Sequence, residues 1–172
     1  LILNSAAFGQ HYFNKTVDVT GLGYNEVYRG LIHNAYTNTF YLIGTSSSFG
    51  LNNPILVEFD QLGNLIAPSF IPNSSTGESF IPGFNNFIFA TTSGNQVFCG
   101  AMRFEDGASA IVFKINELND TIWTREFYEP DEYILFSGAL EDQNGDYLFT
   151  GYTSKYDAVR QAWLVKMDPS GN

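Results

Sequence analysis

Four acidic residues, Glu126, Glu129, Asp131 and Glu132, crowd into one short stretch. Two carboxylates held at a fixed separation can divide general acid and nucleophile or base work between them, which is how most glycoside hydrolases cleave their bond. Spacing in sequence does not give that separation. A solvated inter-strand loop is the default reading of the same charges. A second set, Asp142, Asn144 and Asp146, alternates as ligands do at the start of a calcium loop. Tyr147 stands where such a loop needs Gly, and Thr153 where it needs Glu. The Asn144-Gly145 dipeptide is accounted for by a hairpin turn. His11 and His33 lack metal-ligand spacing. Cys99, the only cysteine, follows apolar Val97-Phe98 and precedes Gly100, the setting of a buried and inert thiol. Gly-x-Ser-x-Gly, P-loop and dinucleotide fingerprints are absent. The sequence therefore assigns no catalytic residue, no metal site and no cofactor.

Aromatic side chains offer binding chemistry instead. Phe49, Phe104, Tyr152 and Tyr156 lie in or beside the polar links that follow Gly44, Gly100 and Gly151. Displayed on loops they could stack on a sugar or grip a peptide; the alternative is that they pack between sheets.

These links belong to a segment that occurs three times. A strand ends in Gly (Gly44, Gly100, Gly151), a polar stretch follows, and an apolar strand leads into an Asp/Asn-Gly-type turn. The apolar strands are Leu56-Val57-Glu58-Phe59, Ile111-Val112-Phe113-Lys114-Ile115 and Leu164-Val165-Lys166-Met167, and the anchors lie 56 and 51 residues apart. That period is close to that of four-stranded propeller blades. Three units are read at about 11–64, 65–120 and 121–172. In the third, Thr121–Phe127 alternates apolar and polar as a half-buried strand does, and is taken as its opening strand. Tyr133–Leu140 is a continuous apolar run that needs cover on both faces. In the second, Pro68, Pro72 and Pro82 break up the outer segment, because proline cannot donate to a ladder. No window carries a sustained helical period with caps.

Composition agrees with an all-β chain. Of 172 residues 44% are hydrophobic and 16% aromatic, while 15% are charged, against about 25% in average domains. Ser, Thr, Asn, Gln and Gly must cover much of the surface, which suits turns and strand faces. Eight basic against 18 acidic residues leave a net charge of −10. Such a chain repels phosphate backbones, so no nucleic-acid partner is expected, and no apolar run is long enough for a transmembrane helix. Residues 1–10 read as the tail of a signal peptide, with Ala7 and Gly9 as the small residues before a cleavage site. Export is expected, and with no Met at residue 1 the chain is read as a piece of a longer polypeptide. Sequon matches at Asn14, Asn73 and Asn119 are taken as coincidental.

The third copy, Gly151-Tyr152-Thr153-Ser154, then Trp163-Leu164-Val165-Lys166-Met167-Asp168, then Gly171-Asn172, resembles the repeats of secreted bacterial β-propeller proteins. Many of those end in a C-terminal sorting domain of the type IX secretion pathway. Asp120-Thr121-Ile122-Trp123 fits the strand that follows the turn in such repeats. The chain departs from the pattern at Asn116, at Asn119-Asp120, and before Leu56, where no glycine-rich stretch occurs. The resemblance implies an all-β, β-propeller-like fold of about three four-stranded blades, flanked by further blades of the same chain. It supplies no catalytic residues. The function expected is a non-catalytic scaffold, adhesion or ligand-binding module at the cell surface or outside the cell, meeting a carbohydrate, protein or surface ligand. The alternatives are the propeller portion of a secreted hydrolase and a structural spacer.

Overall fold

The computed structural model describes residues 25–48, 51–70, 79–84, 87–104, 107–155 and 159–172, and within them the chain is built of strands and turns. β1 (Asn25–Asn34), β2 (Thr39–Ser48), β3 (Leu51–Phe59) and β4 (Leu65–Phe70) form an antiparallel meander that is a sheet of its own. In the second sheet β5 (Ser79–Pro82) and β6 (Ile88–Ala90) both pair with β7 (Gln96–Arg103), followed by β8 (Ala108–Ile115) and β9 (Thr121–Phe127). A third meander runs β10 (Glu132–Glu141), β11 (Tyr147–Lys155), β12 (Gln161–Met167). One parallel bridge, Tyr133 to Ala108, joins it to β8 and makes the second sheet eight-stranded. Neither sheet closes on itself.

The pairing moves the expected unit boundaries by one strand. Thr121–Phe127, read as the opening of the third unit, is hydrogen-bonded along β8 from Ala110–Phe127 to Ile115–Thr121. Leu65–Phe70 is likewise the fourth strand on β3. The ladders therefore run 25–70, 79–127 and 132–167, and the turns at 60–64 and 116–120 are hairpins within a meander. The physical reason is that a five-residue turn with a left-handed fourth position reverses the chain onto the strand it has just left. The described third meander has three strands, and the first strand of the second is split in two. Pro68 sits opposite Val57 on the edge strand β4, and Pro82 ends β5, the places where a missing donor is tolerated.

One turn design recurs. In Asp60–Asn64, Asn116–Asp120, Asp142–Asp146 and Asp168–Asn172 the first side chain accepts the backbone N–H groups two and four residues on, at 2.7–3.0 Å. The short polar side chain mimics a backbone turn and satisfies N–H groups that the ladder leaves over. The fourth residue has positive φ, as at Gly145 (+85°), and Asn119 adopts the same conformation at +66°.

Side chains interlock these turns across meanders. The Tyr36 hydroxyl donates to the Thr92 carbonyl, and Thr92 donates through its backbone N–H (2.7 Å) and its hydroxyl (3.1 Å) to the Glu141 carboxylate. Lys114 Nζ (2.9 Å) and Trp123 Nε1 (3.2 Å) donate to the Pro169 carbonyl, and Arg125 Nε (2.7 Å) to that of Gly171. β8 and β9 of the second meander thus grip the final turn of the third.

The second meander lies between the others, so β7 and β8 are buried almost throughout, as a continuous apolar run requires. Phe98 stacks on Phe113 at 4.9 Å, and Phe80 meets Phe113 edge-on. On the other side Phe136 stacks parallel to Trp163 at 4.9 Å, with Phe127 and Phe149 packed around it. Cys99 is fully buried in this core, where desolvation pushes its thiol well above the usual cysteine range. The folded protein is therefore expected to leave Cys99 unmodified by a thiol reagent such as DTNB and to react fully once denatured. Rapid native-state labelling, counted by mass spectrometry, contradicts this burial.

Candidate binding cleft

Strand pairing places the ends of β2, β7 and β11 and the starts of β3, β8 and β12 at the end of the meanders opposite the Asx turns. Near that end, where Tyr133 bridges to Ala108, a cleft of about 270 Å³ opens between the second and third meanders. Its apolar floor is Ile81, Ala101, Ala108 and Leu135, with Tyr133 and Tyr152 packed against them. The register dictates the grouping: Leu135 faces Tyr152 and Ile81 faces Ala101 across their ladders. Opposed residues of an antiparallel pair share a sheet face. Phe84, in the interruption between β5 and β6, is exposed at the rim. Arg103 and Arg160 complete the lining, and the Arg160 guanidinium lies over the Tyr152 ring, 4.7 Å from its centroid.

Of the four aromatic residues expected at a ligand, Tyr152 lines this cleft. Phe104 does not: it packs on the main core and meets Tyr128 edge-on at 5.9 Å. Phe49 and Tyr156 lie outside the described residues. Sequence reasoning missed Arg103, Arg160, Tyr133 and Phe84. They are far apart in the chain and share no motif, so only the register could have assembled them.

The acidic stretch does not converge. Glu126 accepts from the Ser109 hydroxyl, whereas Glu132 accepts from the Thr153 hydroxyl and pairs with Lys155 at 3.6 Å. Glu129 and Asp131 are exposed. A shallow pocket beside β11 and β12 contains Glu132, Lys155 and Gln161 but none of the other three carboxylates. His33 Nε2 is within 3.0 Å of Asn38 Oδ1, while His11 lies outside the described residues. Among the described residues no group of three or more His, Cys, Asp or Glu side chains gathers as a metal site would require. No described helix is long and apolar enough to cross a membrane.

At Asp142 and Asp146 the Lys166 ammonium sits between the carboxylates, at 3.0 and 2.8 Å. The hydrogen bond from Lys166, with backbone bonds from Asn144 and Asp146, holds the Asp142 carboxyl below its ordinary 3.8. The two carboxylates raise Lys166 above 10.5 in return. A depressed carboxyl stabilises the fold above its unfolded value and loses that contribution as pH falls through the folded one; a raised amine loses its contribution as pH climbs through its folded value. The turn's contribution is thus full from about pH 5 to 9 and is lost progressively as pH falls below that window or climbs above it. Lys166→Met is expected to flatten the acid limb of a stability-against-pH curve between pH 5 and 3. An unchanged acid limb removes Lys166 from the account. Because Lys166 is exposed and both carboxylates are only half-buried, salt should weaken the effect.

No protein-family model matches the chain, and no curated protein matches it either.

Proposed function

We propose that this chain is a non-catalytic, exported ligand-binding module, built on the β-propeller plan with its three successive meanders as consecutive blades. The observation that carries the reading is the cleft: a concave apolar floor, two tyrosines and two arginines contributed by adjacent meanders. Apolar concavities with a few convergent polar groups at an interface between structural units are where small ligands bind. The propeller part of the reading is supported by successive antiparallel meanders packed against one another, by the repeated Asx turns, and by the glycine anchors that resemble secreted propeller repeats. Export is supported by the Ala7-x-Gly9 tail. The propeller portion of a secreted hydrolase is the alternative, with catalytic groups on loops or on another domain.

The test is a binding screen of the folded protein against neutral and charged oligosaccharides and peptides, run beside a hydrolysis assay on every ligand retained. Saturable binding that Tyr152→Ala weakens at least tenfold, with no product formed, is the expected result. Turnover abolished by Glu132→Gln favours the hydrolase. Binding by the wild type that Tyr152→Ala leaves unchanged moves the site elsewhere.

A further inference from the structure

In a chain of net charge −10, two guanidinium groups line one small cleft. Most other described basic side chains are engaged: Lys114 and Arg125 with the turn at Pro169 and Gly171, Lys155 with Glu132, Lys166 with Asp142 and Asp146. Among the described residues neither Arg103 nor Arg160 has an ion-pair partner. Glu105 and Asp106, which follow Arg103 in the chain, lie outside those residues. Resting on the ligand-binding reading above, we propose that this cleft takes a carboxylate-bearing sugar ring, a uronic acid unit of an acidic polysaccharide.

Three features of the cleft select that chemistry. A guanidinium presents paired donors that match a carboxylate's two oxygens, and Arg160 is held in place by its contact with the Tyr152 face. Tyr133 and Ile81, beside the Tyr152 ring that Arg160 covers, offer apolar surface to the C–H face of a sugar ring, which a free phosphate or a short Asp side chain leaves unused. A volume of about 270 Å³ lies just below the range for whole small-molecule sites, so the cleft admits one ring-sized unit of a chain that continues outside. Among the described residues Glu132, a neighbouring carboxylate that would repel an anion, is paired with Lys155.

The test uses the 172-residue protein and calorimetric titration with oligogalacturonate, with neutral cello-oligosaccharide and with an oligoglutamate peptide. Binding is expected for oligogalacturonate alone and should weaken several-fold as salt rises from 50 to 300 mM, as screening requires. Arg103→Gln and Arg160→Gln should each reduce it at least tenfold, and Arg160→Lys should not restore it, because an ammonium lacks the paired donors. Both arginines are exposed, so the variants are expected to keep the wild-type circular dichroism spectrum. Equal affinity for uronate and neutral sugar, or indifference to both arginine variants, overturns the anion assignment while leaving ligand binding intact. Preference for the peptide overturns the sugar assignment. A folded protein that binds none of the three, and nothing in the wider screen, brings down the ligand-binding reading together with this one.

Discussion

Gly151→Ala is expected to destabilise the protein by about 3 kcal/mol or more, close to the upper end for a single methyl group. A Cβ at position 151 would lie 1.9 Å from the Leu135 carbonyl oxygen and 3.0 Å from the Phe136 Cα. The obstruction is backbone, so no rotamer change relieves it. The cause is the bulge in β10, where register shifts between Phe136 and Gly138 and the strand presses onto β11. Gly44 faces the Val27 carbonyl at 2.0 Å beside the bulge in β1, and Gly100 faces the Ile81 carbonyl at 2.3 Å. The three sequence anchors thus share one steric reason. For a chain of this size the loss corresponds to a fall in Tm of about 6–12 °C. A useful contrast is Gly145→Asn, which should cost much less: Asn119 already holds a left-handed conformation in the matching turn, and a Cβ at 145 meets nothing closer than 4.0 Å. Chemical denaturation of the two variants separates crowding from backbone conformation. A Gly151→Ala protein within 1 kcal/mol of wild type would refute the close approach.

Phe136→Ala should cost about 3–5 kcal/mol, the range for emptying a buried phenylalanine site. Phe136 is fully buried and joins residues of two meanders: Trp163 stacks on it at an interplanar angle of 2°, Phe127 meets it at 84°, and Phe149 at 39°. Phe127 belongs to β9 and Trp163 to β12, so removing the ring opens the seam between the second and third meanders. Aromatic pairs add about 0.5–1.5 kcal/mol beyond area burial, which sets the expectation above that for an isolated Phe. Phe136→Leu, which keeps most of the volume, should lose about half as much or less. In a Trp123→Phe background Trp163 is the sole indole, and its emission should shift to the red in Phe136→Ala before global unfolding. Unaltered emission and a loss below 1 kcal/mol place Phe136 outside the seam.

How much of this was legible beforehand depended on the range of the interaction. The strands of the first and third meanders could be read from residues such as Phe40–Gly44, Tyr133–Leu140 and Ala162–Met167, because two-residue alternation, buried apolar runs and Asn-Gly turns are local signals. Asp142–Asp146 could be read as a hairpin for the same reason: every hydrogen bond of an Asx turn lies within five residues. The glycine anchors were visible as a pattern, although the bulge opposite was not visible.

Strand partnership was decided by the tertiary structure. Thr121–Phe127 carries the same alternation whether it opens one meander or closes another; its assignment to β8 follows from the hairpin at Asn116–Asp120 and from Trp123 and Arg125 gripping the turn at Pro169 and Gly171. The cleft is decided the same way. Arg103 and Arg160, like Ile81 and Tyr152, are distant in sequence, and a side-chain period of two says which face a residue takes but not which strand will lie opposite. The sequence by itself therefore determined most strands, the Asx turns and the buried character of Cys99, since each follows from neighbours along the chain. It ended β2, β7 and β11 at Gly44, Gly100 and Gly151, short of Ser48, Arg103 and Lys155, and it missed β4 across Pro68, because those stretches are held by their partners across the ladder. The interlock between meanders and the pairing of two arginines over an aromatic floor arise from contacts between distant segments, which only the packed sheets bring together.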